Sequence, residues 1–215
     1  MTRPAPAAGG EPGRYDAVLL TGGRASRLGG ATKPELVVGG LAMAARVLAA
    51  VGDADRRIVV GPAVNGTEVD LVTREEPRGG GPVAAIAAGL VGVRASAVAV
   101  LAADLPFLDA MTVLDLRAAL ALEPAAAAAL LVDADGRDQR LCAVWRTEAL
   151  RAALAAVGGP AGVPVSALVT AAGTVVRRTG RPATRGGPPP WFDCDTPEDL
   201  AAARSWAGPR RAGGK

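Results

Sequence analysis

Residues 15–34 read YDAVLLTGGRASRLGGATKP, an apolar run that breaks into a glycine-rich, basic loop. Tyr15–Leu20 has the length and composition of a buried strand, and Thr21-Gly22-Gly23 ends it. Outward from this point, short apolar runs alternate with segments of helical spacing. Further strands are expected at Arg57–Val60, closed by Gly61-Pro62, and at Val69–Thr73, Ala97–Ala103, Leu141–Trp145 and Thr174–Arg177. Ala126–Val132 reads as a strand by its position, although its alanines favour helix. Helices are expected at Leu41–Val51, at Pro82–Val93 with proline in its first turn, at Asp109–Leu122 and at Thr147–Val157. The last helix, Pro197–Trp206, has Thr196 as N-cap and Asp199 where a capping box needs it. Val165–Ala171 follows a Gly/Pro break, and 180–190 (GRPATRGGPPP) is a loop. Apolar strands alternating with helices imply an α/β fold with a mostly parallel central sheet covered on both faces. Ligands of such folds sit where the carboxyl ends of the strands open.

Bulk properties narrow the chemistry. The 215 residues suit one domain over 15–206, with 1–14 as a disordered leader and 207–215 as a flexible basic tail. The net charge of +3 comes from the ends: Arg3, Arg14, Arg210, Arg211 and Lys215 face the single acid Glu11, which leaves 19 bases and 20 acids between 15 and 207. A near-neutral body with 3% aromatics argues against nucleic acid as a partner. There is no histidine, so histidine bases, Ser-His-Asp triads and His-ligated zinc are excluded. Cys142 and Cys194 have no metal-ligand spacing; as unpaired thiols in a chain without a signal peptide they favour the cytoplasm. No apolar run suggests a membrane span.

Chemistry must therefore rest on carboxylates, basic side chains, backbone amides and metal ions. In the first loop, Gly22 and Gly23 let the backbone approach a ligand, and Arg27 and Lys33 can neutralise phosphate oxygens. Of 24 basic residues only Lys33 and the terminal Lys215 are lysines, so a compact ammonium has been kept in this loop where arginine is the rule. The pattern is neither a Walker motif nor G-x-G-x-x-G. Asp104, in Asp104-Leu105-Pro106-Phe107 after a buried strand, can place its carboxylate in the strand-end crevice and suits Mg²⁺. Asp193 and Asp195 precede the last helix after a late strand and share a face if 191–195 are extended, although acids there also serve as caps. Glu75 and Glu76, before Gly79-Gly80-Gly81-Pro82, can contact a base or ribose or stay solvated. Gln139, the sole glutamine, begins a polar stretch that runs into a strand.

As an ordered set, L-T-G-G-R-A-S-R-L-G-G-A-T-K, D-L-P-F and D-C-D-T-P-E-D-L resemble the MobA-like nucleotidyltransferases, which include the molybdenum cofactor guanylyltransferases, over about residues 15–206. The resemblance implies a Rossmann-like three-layer sandwich of the nucleotide-diphospho-sugar transferase type. It implies a nucleotide on the first loop, with Leu20, Gly22, Gly23, Arg27, Lys33, Glu75, Glu76 and Asp104 as contacts. Lys33, Arg27 and Asp104 would be catalytic, and Asp104 with Asp193 or Asp195 would bind Mg²⁺. The expected donor is GTP or another NTP and the expected acceptor molybdopterin, near the Gln139 segment, with a molybdoenzyme or cofactor chaperone as a possible protein partner. Thr32, Arg140, Asp193 and Asp195 depart from the guanylyltransferase pattern, which bears on substrate identity: cytidylyl transfer, another phosphorylated acceptor, or a non-catalytic nucleotide-binding role are the alternatives.

Overall fold

The computed structural model describes residues 13–22, 27–28, 31–182 and 184–208, with 27–28 and 31–32 given by backbone alone. The leader at 1–12, Gly23, the Arg27 side chain and the tail beyond 208 lie outside the described residues. Seven strands form one sheet: β1 (Tyr15–Leu20), β2 (Arg57–Val60), β3 (Leu71–Thr73), β4 (Ala97–Ala102), β5 (Ala128–Val132), β6 (Asp138–Arg146) and β7 (Val175–Thr179). Their order is β7-β5-β6-β4-β1-β2-β3. Only β6 runs antiparallel to its neighbours β4 and β5. The other pairs are parallel.

Alternation along β1 splits the core into two layers. Tyr15, Ala17 and Leu19 face α1 (Met43–Ala50) and α3 (Ala110–Leu122). Val18 and Leu20 face α2 (Pro82–Leu90), α4 (Thr147–Ala156) and α5 (Val165–Ala172). Helices therefore cover both faces, giving three layers. With few aromatics to fill space, close approach does part of the packing. A Cβ at Gly89 on α2 would lie 2.5 Å from Val18 Cγ1 and 2.9 Å from Val60 Cγ2, so only glycine lets that helix settle on β1 and β2.

The chain order creates the crevice. From β1 it moves outward through β2 to β3, then α2 carries it back across to β4 on the other side of β1. The carboxyl ends of β1 and β4 thus border a topological switch point, where α/β sheets bind ligands. The two strands close just below it, where the Ala103 amide donates to the Leu20 carbonyl at 3.2 Å.

Three expectations change. Leu41–Ala42 belong to a hairpin with Val37–Val38, and α1 begins only at Met43. Gly39 and Gly40, both at positive φ, turn that hairpin. β6 starts at Asp138 rather than Leu141, because a register shift between Gln139 and Ala143 lets the polar segment pair with β5. Finally, 191–195 form no strand; the late carboxylates sit in the loop that leads to α6 (Pro197–Ala207).

Candidate active site

The crevice is built by three segments that meet at the ends of β1 and β4. Thr21 is buried, and its Oγ1 donates toward the Val60 and Pro62 carbonyls at 3.2 and 2.8 Å, pinning the start of the loop to the end of β2. Gly61, at φ 122°, is forced by this contact: a Cβ there would stand 2.6 Å from Thr21 Oγ1 and 2.7 Å from the Gly22 amide nitrogen. Gly22 is exposed, and among the described residues nothing lies within 4 Å of the position a Cβ would take there.

Lys33 begins a short 3₁₀ turn and is only 7% exposed. Its Nζ donates to Asp104 Oδ2 at 2.7 Å and to Asp195 Oδ1. Burial opposes the charge on Lys33, but its hydrogen bonds and attraction to the two carboxylates outweigh that and hold its pKa above the ordinary value. Asp104 lies in the turn after β4, and the Cys194 amide donates to its carbonyl at 3.1 Å. This backbone bond draws the late loop over the crevice. Asp193, next to Cys194, has its carboxyl pushed up, by partial burial first and then by the like charges of Asp195 and Asp104. The structure therefore brings together Lys33, Asp104, Asp193 and Asp195 from segments as much as 162 positions apart in sequence.

Asp104 and Asp195 hold the one ammonium, and Asp193 stands near enough to feel their charges. Among the described residues no three such groups are placed to enclose a metal ion by themselves. A Mg²⁺ ion here would take one or two of these carboxylates and complete its shell with water and substrate phosphates. The donor set is hard oxygen throughout, as that ion prefers.

The late loop is well anchored. Thr196 and Asp199 form a full capping box at the start of α6, and Asp199 Oδ2 also accepts from the Asp195 amide at 3.1 Å. The hydrogen bonds from Thr196 hold the Asp199 carboxyl below its ordinary pKa. Beneath the loop, Val38, Met43, Cys194, Leu200 and Ala203 make a small core of their own. Phe107 and Phe192 each meet Trp206 edge to face and lie tilted to one another beside it, and Arg46 lies over the Phe107 ring while donating to the Pro106 carbonyl at 2.6 Å. Half of the six aromatic residues of the chain are spent on holding this corner.

Other sequence candidates fall differently. The Leu20 side chain is buried in the core and its carbonyl is used by Ala103, so its groups serve the sheet. Glu75 accepts from the Gly79 amide at 3.1 Å and braces its own loop, while Glu76 is exposed; both lie past the end of β3 on the same edge of the sheet as the crevice. Gln139 lies 3.4 Å from Asp133, and the neighbouring Asp138 makes a two-point pair with Arg177 at 2.7 and 3.0 Å, which lowers the Asp138 pKa. Thr21, the Cys194 amide and the aromatic corner were not foreseen. Thr21 stood within the quoted loop, but hydrogen bonds to distant carbonyls leave no local mark in a sequence.

No curated protein matches the chain in sequence. Among solved structures it is similar to a 2-C-methyl-D-erythritol 4-phosphate cytidylyltransferase from Thermus thermophilus, with 23% identity, 89% of this chain and 98% of that one covered, and a TM-score of 0.62. It is also similar to molybdopterin-guanine dinucleotide biosynthesis protein A from Archaeoglobus fulgidus, with 18% identity, coverage of 88% and 97%, and a TM-score of 0.65. A nucleotidyl transferase from Methanothermobacter thermautotroptrophicus gives 18% identity, coverage of 90% and 97%, and a TM-score of 0.67. At such identities the likeness is one of fold. The MobA-like NTP transferase domain, by contrast, matches in sequence over residues 17–177, from β1 through the crevice to β7, and this chain belongs to that family of nucleotidyltransferases.

Proposed function

We propose that the chain transfers a nucleoside monophosphate from an NTP to a phosphorylated acceptor, with GTP and molybdopterin as the substrates. The observation that carries this reading is the buried Lys33 ammonium between Asp104 and Asp195 at the switch point, near the exposed Gly22. In the proposed reaction the terminal phosphate of the acceptor attacks the α-phosphorus in line. A new P–O bond forms, the α–β bridge breaks, and pyrophosphate leaves with the electron pair. A phosphate nucleophile is already ionised near neutral pH, so the absence of any histidine is no obstacle.

Catalysis then rests on placement and charge. The Gly22 and Gly23 backbone receives the phosphates, and Lys33 and Arg27 offset negative charge as it gathers on the leaving group. Asp104, with Asp193 or Asp195, would hold Mg²⁺, which supplies Lewis-acid neutralisation of phosphate oxygens. Lys33 has a second duty in the protein alone, where it keeps Asp104 and Asp195 together. The molybdopterin assignment draws on the sequence motifs and on the fold shared with a molybdopterin-guanine dinucleotide biosynthesis protein. The test is pyrophosphate release with Mg²⁺ and each of the four common NTPs, with and without molybdopterin. Release that requires GTP and molybdopterin together supports the assignment. A requirement for CTP would move the chain to cytidylyl transfer, and no release with any pair would overturn catalysis on molybdopterin.

A further inference from the structure

At the opposite end of the sheet from the crevice lies a second cavity of about 540 Å³. It is bordered by the residues just before β1, the start of β4, the end of β6, the second half of α3 and the start of α4. Among the described residues five arginines line it, Arg14, Arg94, Arg117, Arg146 and Arg151, with the acid Glu148. Asp55, Asp53 and Glu148 pair with Arg14, Arg117 and Arg151, so Arg94 and Arg146 are the two left without a carboxylate partner among the described residues.

Three of the five are fixed by the fold. Arg117 lies over the Tyr15 ring, 4.0 Å from its centroid, and donates to Asp53 at 2.7 Å and to the Gly13 carbonyl at 3.1 Å. Arg146 donates to the carbonyls of Leu120 and Ala126 at 2.9 and 3.0 Å and has no carboxylate partner among the described residues. Arg151 reaches Glu148 at 2.6 Å and the Val93 carbonyl at 3.3 Å. Arg14 pairs with Asp55 at the edge, and the exposed Arg94 makes no ion pair among the described residues. Guanidinium forks held by carbonyls are already oriented, so a ligand need not order them.

We propose that this cavity is a binding site for a small oligophosphate, separate from the nucleotide crevice. Planar guanidinium groups bind phosphate oxygens in two-point fashion, and the volume lies within the range of small-ligand sites, about 300–1,000 Å³. The walls carry Ala97, Leu120, Ala121 and Val144 but no aromatic ring for a base to stack on, which favours the phosphates themselves over a nucleoside. The site does not depend on the proposed reaction and can stand or fall alone.

The test uses tripolyphosphate and the full chain, followed by backbone amide NMR. Titration should shift the amides of Ser96, Thr147 and Glu148 independently of those of Gly22 and Lys33. The double variant Arg94→Glu, Arg151→Gln changes two exposed side chains and, because the Arg151–Glu148 pair lies at the surface, should melt within a few degrees of wild type. It should weaken the response at residues 96, 147 and 148 at least tenfold while leaving that at Gly22 unchanged. Shifts confined to the crevice would overturn the site, as would equal binding at these amides by the double variant. Stronger binding of a short duplex DNA at the same amides would replace the small ligand with nucleic acid.

Discussion

Lys33 was conspicuous before any fold was known, because a chain that otherwise uses arginine keeps one internal lysine. Its partners Asp104 and Asp195 lie 71 and 162 positions away, so their convergence on one ammonium is a property of the fold. Replacing Lys33 with Met should lower nucleotidyl transfer by about 10²- to 10³-fold, the scale of losing one charge-stabilising donor. The same variant should bind Mg²⁺ more tightly than wild type in the absence of nucleotide, measured by calorimetry, because Asp104 and Asp195 lose their counter-charge. Unchanged metal affinity would contradict the clamp. Lys33 has a raised pKa in the folded protein, so its stabilising contribution is complete below its ordinary value of 10.5 and is lost as pH climbs through the higher folded value. The gap in melting temperature between wild type and Lys33→Met should therefore stay constant from neutral pH to about that value and narrow above it.

Asp193 has the opposite sign. An acid with a raised folded pKa weakens the fold once ionised, a penalty complete above the folded pKa and absent below its ordinary value of 3.8. Asp193→Asn should therefore raise the melting temperature of the metal-free protein at pH 7. It should also reduce the further rise that Mg²⁺ produces in wild type. A lower melting temperature at pH 7 would show that Asp193 makes stabilising contacts that outweigh its repulsion.

Among the elements, those with strong local marks were read closely. β1 and β2 match their expected bounds and the Thr196–Asp199 capping box is present in full, whereas Asp109, expected as the first residue of a helix, is the N-cap of α3 instead. The hairpin at 37–42 was legible in principle, since Gly-Gly between two apolar pairs is a turn signal, but the apolar spacing after Leu41 masked it as helix. β5, with four buried alanine and leucine residues before Val132, contradicts its own helix propensity because burial in the sheet decides it. Thr196→Ala should cost about 1 kcal/mol in stability, as loss of an N-cap does. It should also lower activity, since the box holds the loop that carries Asp195. Gly89→Ala tests packing apart from chemistry: the added methyl meets Val18 and Val60 and should cost about 1–3 kcal/mol, with kcat per folded molecule unchanged.

At the scale of the whole molecule, the two ends of one sheet carry different charged groups. The carboxyl end holds Asp104 and Asp195 on Lys33 with Asp193 nearby, whereas at the amino end five arginines line the cavity, three of them paired with acids. The sequence alone showed the first as motifs in order but could not show the second, because Arg14, Arg94, Arg117, Arg146 and Arg151 share no motif and meet only through the register of β1, β4 and β6. The crevice likewise owes its position to topology, with β1 lying between β2 and β4. Among the described residues no helix is long and apolar enough to cross a membrane. The central claim is that this crevice transfers a nucleoside monophosphate. Its most direct test is pyrophosphate release by the purified chain with Mg²⁺, GTP and molybdopterin, set against the Lys33→Met variant. The account predicts release that needs both substrates and falls at least a hundredfold in the variant; equal release by the two proteins would contradict it.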